Sequence, residues 1–412
     1  MKILHFSDAH IDIISQGKLD SKSGLPIRTL DFLKALDQIV DAAIAERVDL
    51  VLFTGDAYKD RTPVPTYQRE WGKRMRRLSE AGILTLMITG NHDISPSQSR
   101  AHALQEYETL GVPHVYVCSK PSFLTPKDLE GLPLQVVALP WVPKTGFLSI
   151  QESNLPDIDT VNQKLEEVIT QLIHYWLENR LDPNLPAVLA AHASVEGAQY
   201  SSERSIMLGN DVTLSRGLVC DPRWSYVALG HIHKAQNLNE GNHPPVIYAG
   251  SIERVNFGEA REEKFFVLIH LDGNRVSQVE WRKLQGRRFI DRSVSVSKRE
   301  GFMETILEKF PSPEEIEGSV FRLTVDYPAE YEKLLDEALL RRRAEGALEF
   351  LLVRRPQREV RLRLPEGALA SDMSPLELLE MYLKSINVAS DEIPAIKSLA
   401  QEILWGGESE EN

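Results

Sequence analysis

In Leu50-Val51-Leu52-Phe53-Thr54-Gly55-Asp56 four apolar residues, the length of a buried strand, run into a turn residue and then a carboxylate. The same construction recurs along the chain. Ile3–Phe6 leads to Asp8 and His10, Leu84–Ile88 to Asn91 and His92, Val188–Ala191 to His192, and Tyr226–Leu229 to His231 and His233. Val136–Leu139 and Phe265–Ile269 are further apolar runs without such an ending. Between the first two runs Leu30, Leu33, Leu36, Ile39, Val40 and Ala43 recur at helical spacing, so strands and helices are interleaved, the rhythm of a layered α/β domain. Strands that lie side by side and end together deliver their terminal side chains to one rim, where open α/β sheets hold ligands.

A lone histidine after an apolar strand is ordinarily a hydrogen-bonded structural residue. Five strand ends carrying metal-capable groups reverse that reading. His5, His102, His114, His174, His243 and His270 occupy no such repeated context and are read as structural or exposed. The candidate ligands are carboxylates, imidazoles and one amide oxygen, without thiolates, a set suited to borderline-to-hard divalent ions. Manganese is the working choice, with iron, zinc or magnesium depending on supply. Seven ligands (Asp8, His10, Asp56, Asn91, His192, His231 and His233) are too many for one ion that keeps an open position for substrate. They divide between two ions if one carboxylate is shared.

The bulk numbers narrow the class. At 412 residues the chain has room for two or three domains and a full-sized core. Only Cys118 and Cys220 are present, which excludes a disulfide framework or a thiolate zinc knuckle and suits a reducing cytoplasm. Met1-Lys2-Ile3-Leu4-His5-Phe6 runs into polar residues too soon for a signal peptide or a membrane span, so a cytoplasmic protein without a membrane partner is expected. The net charge of −13 argues against a chain that coats nucleic acid non-specifically, and any DNA contact must be local. Basic clusters at Lys73–Arg77, Arg282–Arg288, Arg341–Arg343 and Arg354–Arg363 leave a phosphate-binding surface open, although each reads first as a solvated face.

The basic, glycine-containing join at Lys283–Arg288 is the expected domain boundary. Beyond it Phe302, Ile306, Leu307 and Phe310 predict a helix, and Phe321, Leu323 and Val325 a strand. Tyr331, Leu334, Leu335 and Ala338 predict another helix, while Phe350–Val353 and Val360, Leu362 and Leu364 predict strands, together a small α+β domain. Ser374-Pro375-Leu376-Glu377 is a capping box that opens a helix with Leu376, Leu379, Leu383 and Ile386 on one face. Ile396, Leu399 and Ile403 mark a shorter helix that stops at Gly406-Gly407 before an acidic end. Both stripes can pack on their own domain or grip a partner.

Asp8-Ala9-His10, Gly55-Asp56, Gly90-Asn91-His92-Asp93, His192 and Gly230-His231-Ile232-His233 resemble, in order and spacing, the motifs of the calcineurin-like metallophosphoesterases. Arg61-Thr62-Pro63-Val64-Pro65, and Gly250-Ser251-Ile252-Glu253-Arg254 leading to Phe257-Gly258-Glu259, make the chain similar to the SbcD-type branch of that family. That branch comprises nuclease subunits of bacterial DNA repair exonucleases, similar to the archaeal and eukaryotic double-strand-break nucleases. The motifs cover residues 1–270, and the later domain matches in layout only.

The resemblance implies a four-layer sandwich, two mixed β-sheets flanked by helices, with a smaller α+β capping domain. It implies a nuclease domain over 1–284, a capping domain over 285–366 and a helical partner-binding segment with an acidic tail over 367–412. Asp8, His10 and His233 would hold one ion, Asn91, His192 and His231 the other, and Asp56 would bridge them. His92 would sit over the substrate as a protonated imidazole that stabilises developing charge or protonates the leaving alkoxide. Asp93 either orients His92 or is a turn-forming carboxylate.

The implied activity is double-strand exonuclease and single-strand or hairpin endonuclease cleavage of DNA. The implied partner is an SbcC-type coiled-coil ATPase, and pairing of two copies through a helical face is left open. No G-x-x-x-x-G-K-[ST] loop is present, so ATP would be handled by that partner. The rival enzymatic reading is a phosphatase or phosphodiesterase acting on nucleotides or phosphoproteins, because the metal set is common to the family. The archaeal and eukaryotic relatives carry a second histidine three positions after the bridging aspartate. Here that place is Lys59, so the second histidine's role is not carried over.

Overall fold

The structure is a computed structural model and describes residues 1–13, 17–94, 101–143, 158–201, 212–357, 373–385 and 388–405. The expected strand at Val360, Leu362 and Leu364, with Arg358, Arg361, Arg363, Ile386 and the Gly406-Gly407 stop, lies outside them. Two compact units are formed, one of Met1–Ile290, Glu317–Val320 and Ala347–Glu349, the other of Asp291–Ile316, Phe321–Gly346 and Phe350–Asn412.

Two six-stranded sheets build the first unit. From edge to edge the first sheet is β14 (Arg275–Lys283), β13 (Phe265–Asp272), β1 (Lys2–Phe6), β2 (Leu50–Phe53), β3 (Leu84–Ile88) and β4 (Val115–Cys118). The second is β11 (Gln236–Asn237), β12 (Val246–Tyr248), β10 (Tyr226–Gly230), β7 (Ala187–His192), β6 (Gln135–Leu139) and β5 (Ser122–Leu124). Strands β1 to β4 are parallel, as are β6, β7, β10 and β12, while β13, β5 and β11 pair antiparallel. Both sheets are therefore mixed.

Period-2 alternation explains the layering. Ile3, Leu50, Leu52, Leu86 and Ile88 of the first sheet share one buried cluster with Val136, Ala138, Val188, Ala190, Tyr226 and Ala228 of the second. The intervening residues face outward, and they too are buried. Leu4, Phe6, Val51, Phe53 and Met87 pack with Phe32, Leu36 and Val40 of α1 (Ile27–Glu46) and Trp71 and Met75 of α2 (Pro65–Glu80). Val137, Leu139, Leu189, Ala191, Val227 and Leu229 pack with Leu165, Ile169 and Ile173 of α3 (Ile158–Asn179). The order helix, sheet, sheet, helix is the expected four-layer sandwich. Strands covered on both faces read as unbroken apolar runs, which is why the core strands are legible in the sequence.

In the second unit, α4 (Phe302–Leu307) precedes β16 (Val320–Pro328), which lies between β15 (Phe289–Ser295) and β17 (Glu349–Gln357). The continuous helix predicted over Tyr331–Ala338 is instead a 3-10 turn, Ala329–Leu334, followed by α5 (Glu337–Arg343). Leu335 is extended, and the Asp336 side chain accepts from Leu339 N at 2.9 Å, so this carboxylate caps a new helix. The capping box forms as read: Ser374 N donates to Glu377 Oε2 at 2.8 Å and Glu377 N to Ser374 Oγ at 3.3 Å, opening α6 (Pro375–Ser385). On α7 (Ile393–Trp405), Ile393 is buried while Leu399 and Ile403 are 60% and 82% exposed. Among the described residues no helix is long and apolar enough to cross a membrane.

Candidate metal centre

The loops that carry the candidate ligands start where parallel strands end, and their backbones lock to one another. Asp8 N donates to Gly55 O at 3.0 Å and Ala9 N to Asp56 O at 2.8 Å, joining the loops after β1 and β2. Asp8, His10, Asp56 and His231 all have positive φ, at 49°, 39°, 64° and 97°. Non-glycine residues resist that region, and such conformations cluster at sites where neighbouring structure holds a side chain in a set direction. The glycines ahead of the ligands follow from crowding. A Cβ on Gly90 would collide with the Asp56 carboxylate, and one on Gly55, itself at φ 97°, with the His192 ring.

Each of three histidines has its Nδ1 held by an oxygen. His10 Nδ1 lies 3.3 Å from Tyr58 O, His192 Nδ1 2.7 Å from Thr54 O, and His233 Nδ1 2.9 Å from Glu259 Oε1. Those oxygens only accept, so each Nδ1 carries the hydrogen, and in the neutral ring Nε2 is left with the lone pair, a tautomer inferred from the partners. The lone pairs converge. His10 Nε2 and His233 Nε2 stand 3.2 Å apart, an arrangement two acceptors tolerate only with a positive charge beside them. His192 Nε2 and His231 Nδ1 lie 3.0 and 3.1 Å from Asn91 Oδ1.

Asp56 Oδ2 sits between the two groups, 3.7 Å from His10 Nε2 and 3.5 Å from His192 Nε2, the place of a bridging atom. Two triplets, Asp8 with His10 and His233, and Asp8 with Asp56 and His192, each offer donor atoms lying within 4.8 Å of one another. Asp8 thus reaches both, whereas the resemblance gave it to one ion. Its carboxylate also accepts from His231 N at 3.1 Å.

The electrostatics ask for cations. Asp8, His10, Asp56, His192 and His231 are at most 2% exposed. Burial pushes Asp8 up, whereas for Asp56 the neighbouring His192 overcomes burial and holds the carboxyl well below its usual range. Burial alone would lower His192, but Asp56 and Asp8 raise it to about 9, so without a cation its Nε2 holds a proton that a bound ion would displace. Burial keeps His10 well below the ordinary imidazole value. Two buried carboxylates ringed by imidazole nitrogens and an amide oxygen fit divalent ions by donor chemistry and by charge.

His92 lies beside this group. Its backbone N donates to Asp56 Oδ1 at 2.9 Å, and its ring is 5.3 Å from that of His10. Its Nδ1 is 3.0 Å from Lys59 O and its Nε2 3.1 Å from Lys59 Nζ, so one residue engages both nitrogens. Burial lowers the pKa of both side chains. With Nδ1 donating to a carbonyl and Nε2 beside the Lys59 ammonium, burial and that charge both disfavour the imidazolium expected from the resemblance. Asp93 is the turn-forming carboxylate of the two accounts. Its Oδ2 accepts from Asp56 N and Gly90 N at 2.8 and 2.9 Å, and its Oδ1 from Ala57 N at 2.9 Å, while burial and Asp56 push it up to about 7.

The sequence reading assigned no role to Glu259, Lys264 or Trp141. Glu259 backs His233, Lys264 Nζ lies 2.7 Å from Glu259 Oε2, and the Trp141 ring packs 5.1 Å from that of His231. The Gly250–Glu259 stretch had signalled only a subfamily likeness. Of the histidines outside the repeated strand-end pattern, His5 contacts Tyr226 and Thr54, His114 contacts Glu130, and His270 contacts Glu280. Lys73, Arg74, Arg76 and Arg77 pair with Glu70, Asp37, Glu80 and Asp41, which makes that basic cluster an ion-paired surface.

The family profile for calcineurin-like phosphoesterases matches residues 1–235, more than half of the chain, and the chain belongs to that family. The SbcD component of the SbcCD nuclease of Escherichia coli (strain K12) is 26% identical over 294 residues, 68% of this chain and 67% of its own length. DNA double-strand break repair protein Mre11 of Sulfurisphaera tokodaii is 26% identical over 238 residues, 56% of this chain and 49% of its own. Among solved structures, TT1561 of Thermus thermophilus aligns over 69% of this chain and 99% of its own, with 15% identity and a TM-score of 0.38.

Proposed function

We propose that the chain is a two-metal phosphodiesterase that cuts DNA, with exonuclease action on duplex ends and endonuclease action on single strands and hairpins. It would act as the nuclease subunit of an SbcCD-type repair complex. The observation that carries the hydrolytic part is Asp56 Oδ2 lying between His10 and His192 at the meeting point of five strand ends. DNA as substrate is supported by the relatives named as nucleases and repair proteins.

Asp8, His10 and His233 would hold one cation, Asn91, His192 and His231 the other, and Asp56 both, with manganese the favoured metal. Bound there, the cations would supply Lewis-acid activation of water and neutralise charge on the phosphoryl oxygens. The protein's own groups do the rest. Buried Nδ1 contacts keep the imidazoles in register, and Asp93 fixes the amides that carry Asp56 and Gly90. Lys59 Nζ, hydrogen-bonded to the His92 Nε2 lone pair, would pass a proton through that pair to the oxygen that leaves phosphorus. Arg61, whose Nε donates to Asn91 O at 3.3 Å, extends this cationic rim. The exposed Leu399 and Ile403 on α7 suit docking of the coiled-coil ATPase.

The test is hydrolysis with Mn²⁺ of linear duplex, hairpin and single-stranded DNA beside a mononucleotide and a phosphopeptide, with and without the ATPase. Cleavage of DNA is expected. Turnover confined to the nucleotide or phosphopeptide would replace the nuclease with a phosphatase.

A further inference from the structure

We propose that Glu259 is a positioning residue for the metal centre, fixing His233 from behind in the tautomer whose Nε2 faces the cation. This rests on His233 being a metal ligand. Glu259 is wholly buried, and its two oxygens do different jobs. Oε1 lies 2.9 Å from His233 Nδ1. Oε2 receives Lys264 Nζ at 2.7 Å, Val255 N at 3.1 Å and Ser251 Oγ at 3.3 Å.

Lys264 is itself 1% exposed, and its Nζ also lies 3.2 Å from His233 O. One buried ion pair therefore grips both the ring and the backbone of the ligand. A buried carboxylate and ammonium cost desolvation free energy that an apolar pair would avoid, so stability alone is a weak reason for their presence. A carboxylate behind a ligating imidazole is instead a known means of setting its orientation and raising its basicity. The other imidazoles held at Nδ1, His10 and His192, have backbone carbonyls there. His233 alone of these three is backed by a full charge.

The test is titration of the metal-free full-length chain with Mn²⁺ by calorimetry, wild type against Glu259→Gln. Gln keeps the volume and removes the charge. The wild type should take up two ions, and the variant should bind one of them about 10–100-fold more weakly while the other is unchanged. A folded variant that binds both ions as tightly as wild type overturns the inference and leaves the metal reading intact. A wild-type chain that binds no Mn²⁺ sinks the metal reading and this inference with it.

Should the variant fail to fold, nitrogen-15 spectra of histidine-labelled wild type decide, with His233 assigned through His233→Asn. A proton on Nδ1 supports the role. A proton on Nε2 overturns it.

Discussion

At His92 one ring meets one lysine twice, through the carbonyl and through the ammonium. It touches the Asp56 carboxylate only through its backbone. His92→Gln should therefore retain both metals yet turn over about 10²–10⁴-fold more slowly, the contribution of one general acid–base group. Unchanged turnover would remove His92 from the chemistry. Asp56→Ala should lose metal and activity together, and a fully loaded Asp56→Ala protein would contradict its bridging position. Asp93→Ala predicts a different signature, because four buried amides, those of Asp56, Ala57, Tyr58 and Gly90, lose their acceptor: a loss of at least ~2 kcal/mol in denaturant unfolding of metal-free protein, where His92→Gln loses little. The polar side chains that meet at this rim were legible as a group because strand ends repeat them. Glu259 was not, because its role depends on meeting His233 and Lys264 in space and leaves no local pattern.

Among the elements, strands buried on both faces declared themselves as apolar runs, and α1 did so by its spacing. Edge strands did not. β14 is largely exposed along its nine residues, and its composition, Arg275-Val276-Ser277-Gln278-Val279-Glu280-Trp281-Arg282-Lys283, carries no run to read. The helix over Tyr331–Ala338 was misread because apolar spacing is silent about Asp336, whose side chain caps a new helix. The capping box at Ser374 was legible because its signal is local. Removing residues 367–412 takes away α6 and α7, including the exposed Leu399 and Ile403. The truncated chain should fail to co-purify with the ATPase while still hydrolysing a generic phosphodiester. Co-purification at wild-type yield would place the docking surface elsewhere.

Across the whole sandwich, His5 ties the two sheets together. It projects from β1 into the layer between them, with Nδ1 2.8 Å from Tyr226 Oη on β10 and Nε2 3.0 Å from Thr54 Oγ1. Burial pushes its pKa from 6.5 down to about 3. Between those values the unfolded chain binds the proton and the folded chain does not, so stability falls as pH drops through this window. From pH 7 to pH 4.5, wild type should lose roughly 3 kcal/mol more unfolding free energy than His5→Asn, measured in chelator-treated protein. Parallel pH profiles would contradict a neutral buried His5. The layering itself could be anticipated from interleaved strands and helices, but which alternate residues face the sheet partner and which face helices depends on a pairing that only the folded chain displays.

On the proposed reading, seven side chains from five strand ends enclose a pair of cations. The decisive measurement is anomalous diffraction at the manganese absorption edge from crystals soaked in Mn²⁺. Two anomalous peaks should appear on either side of Asp56 Oδ2, one near His10 and His233, the other near His192 and His231. A rim without anomalous density, or manganese found only elsewhere on the molecule, would contradict it.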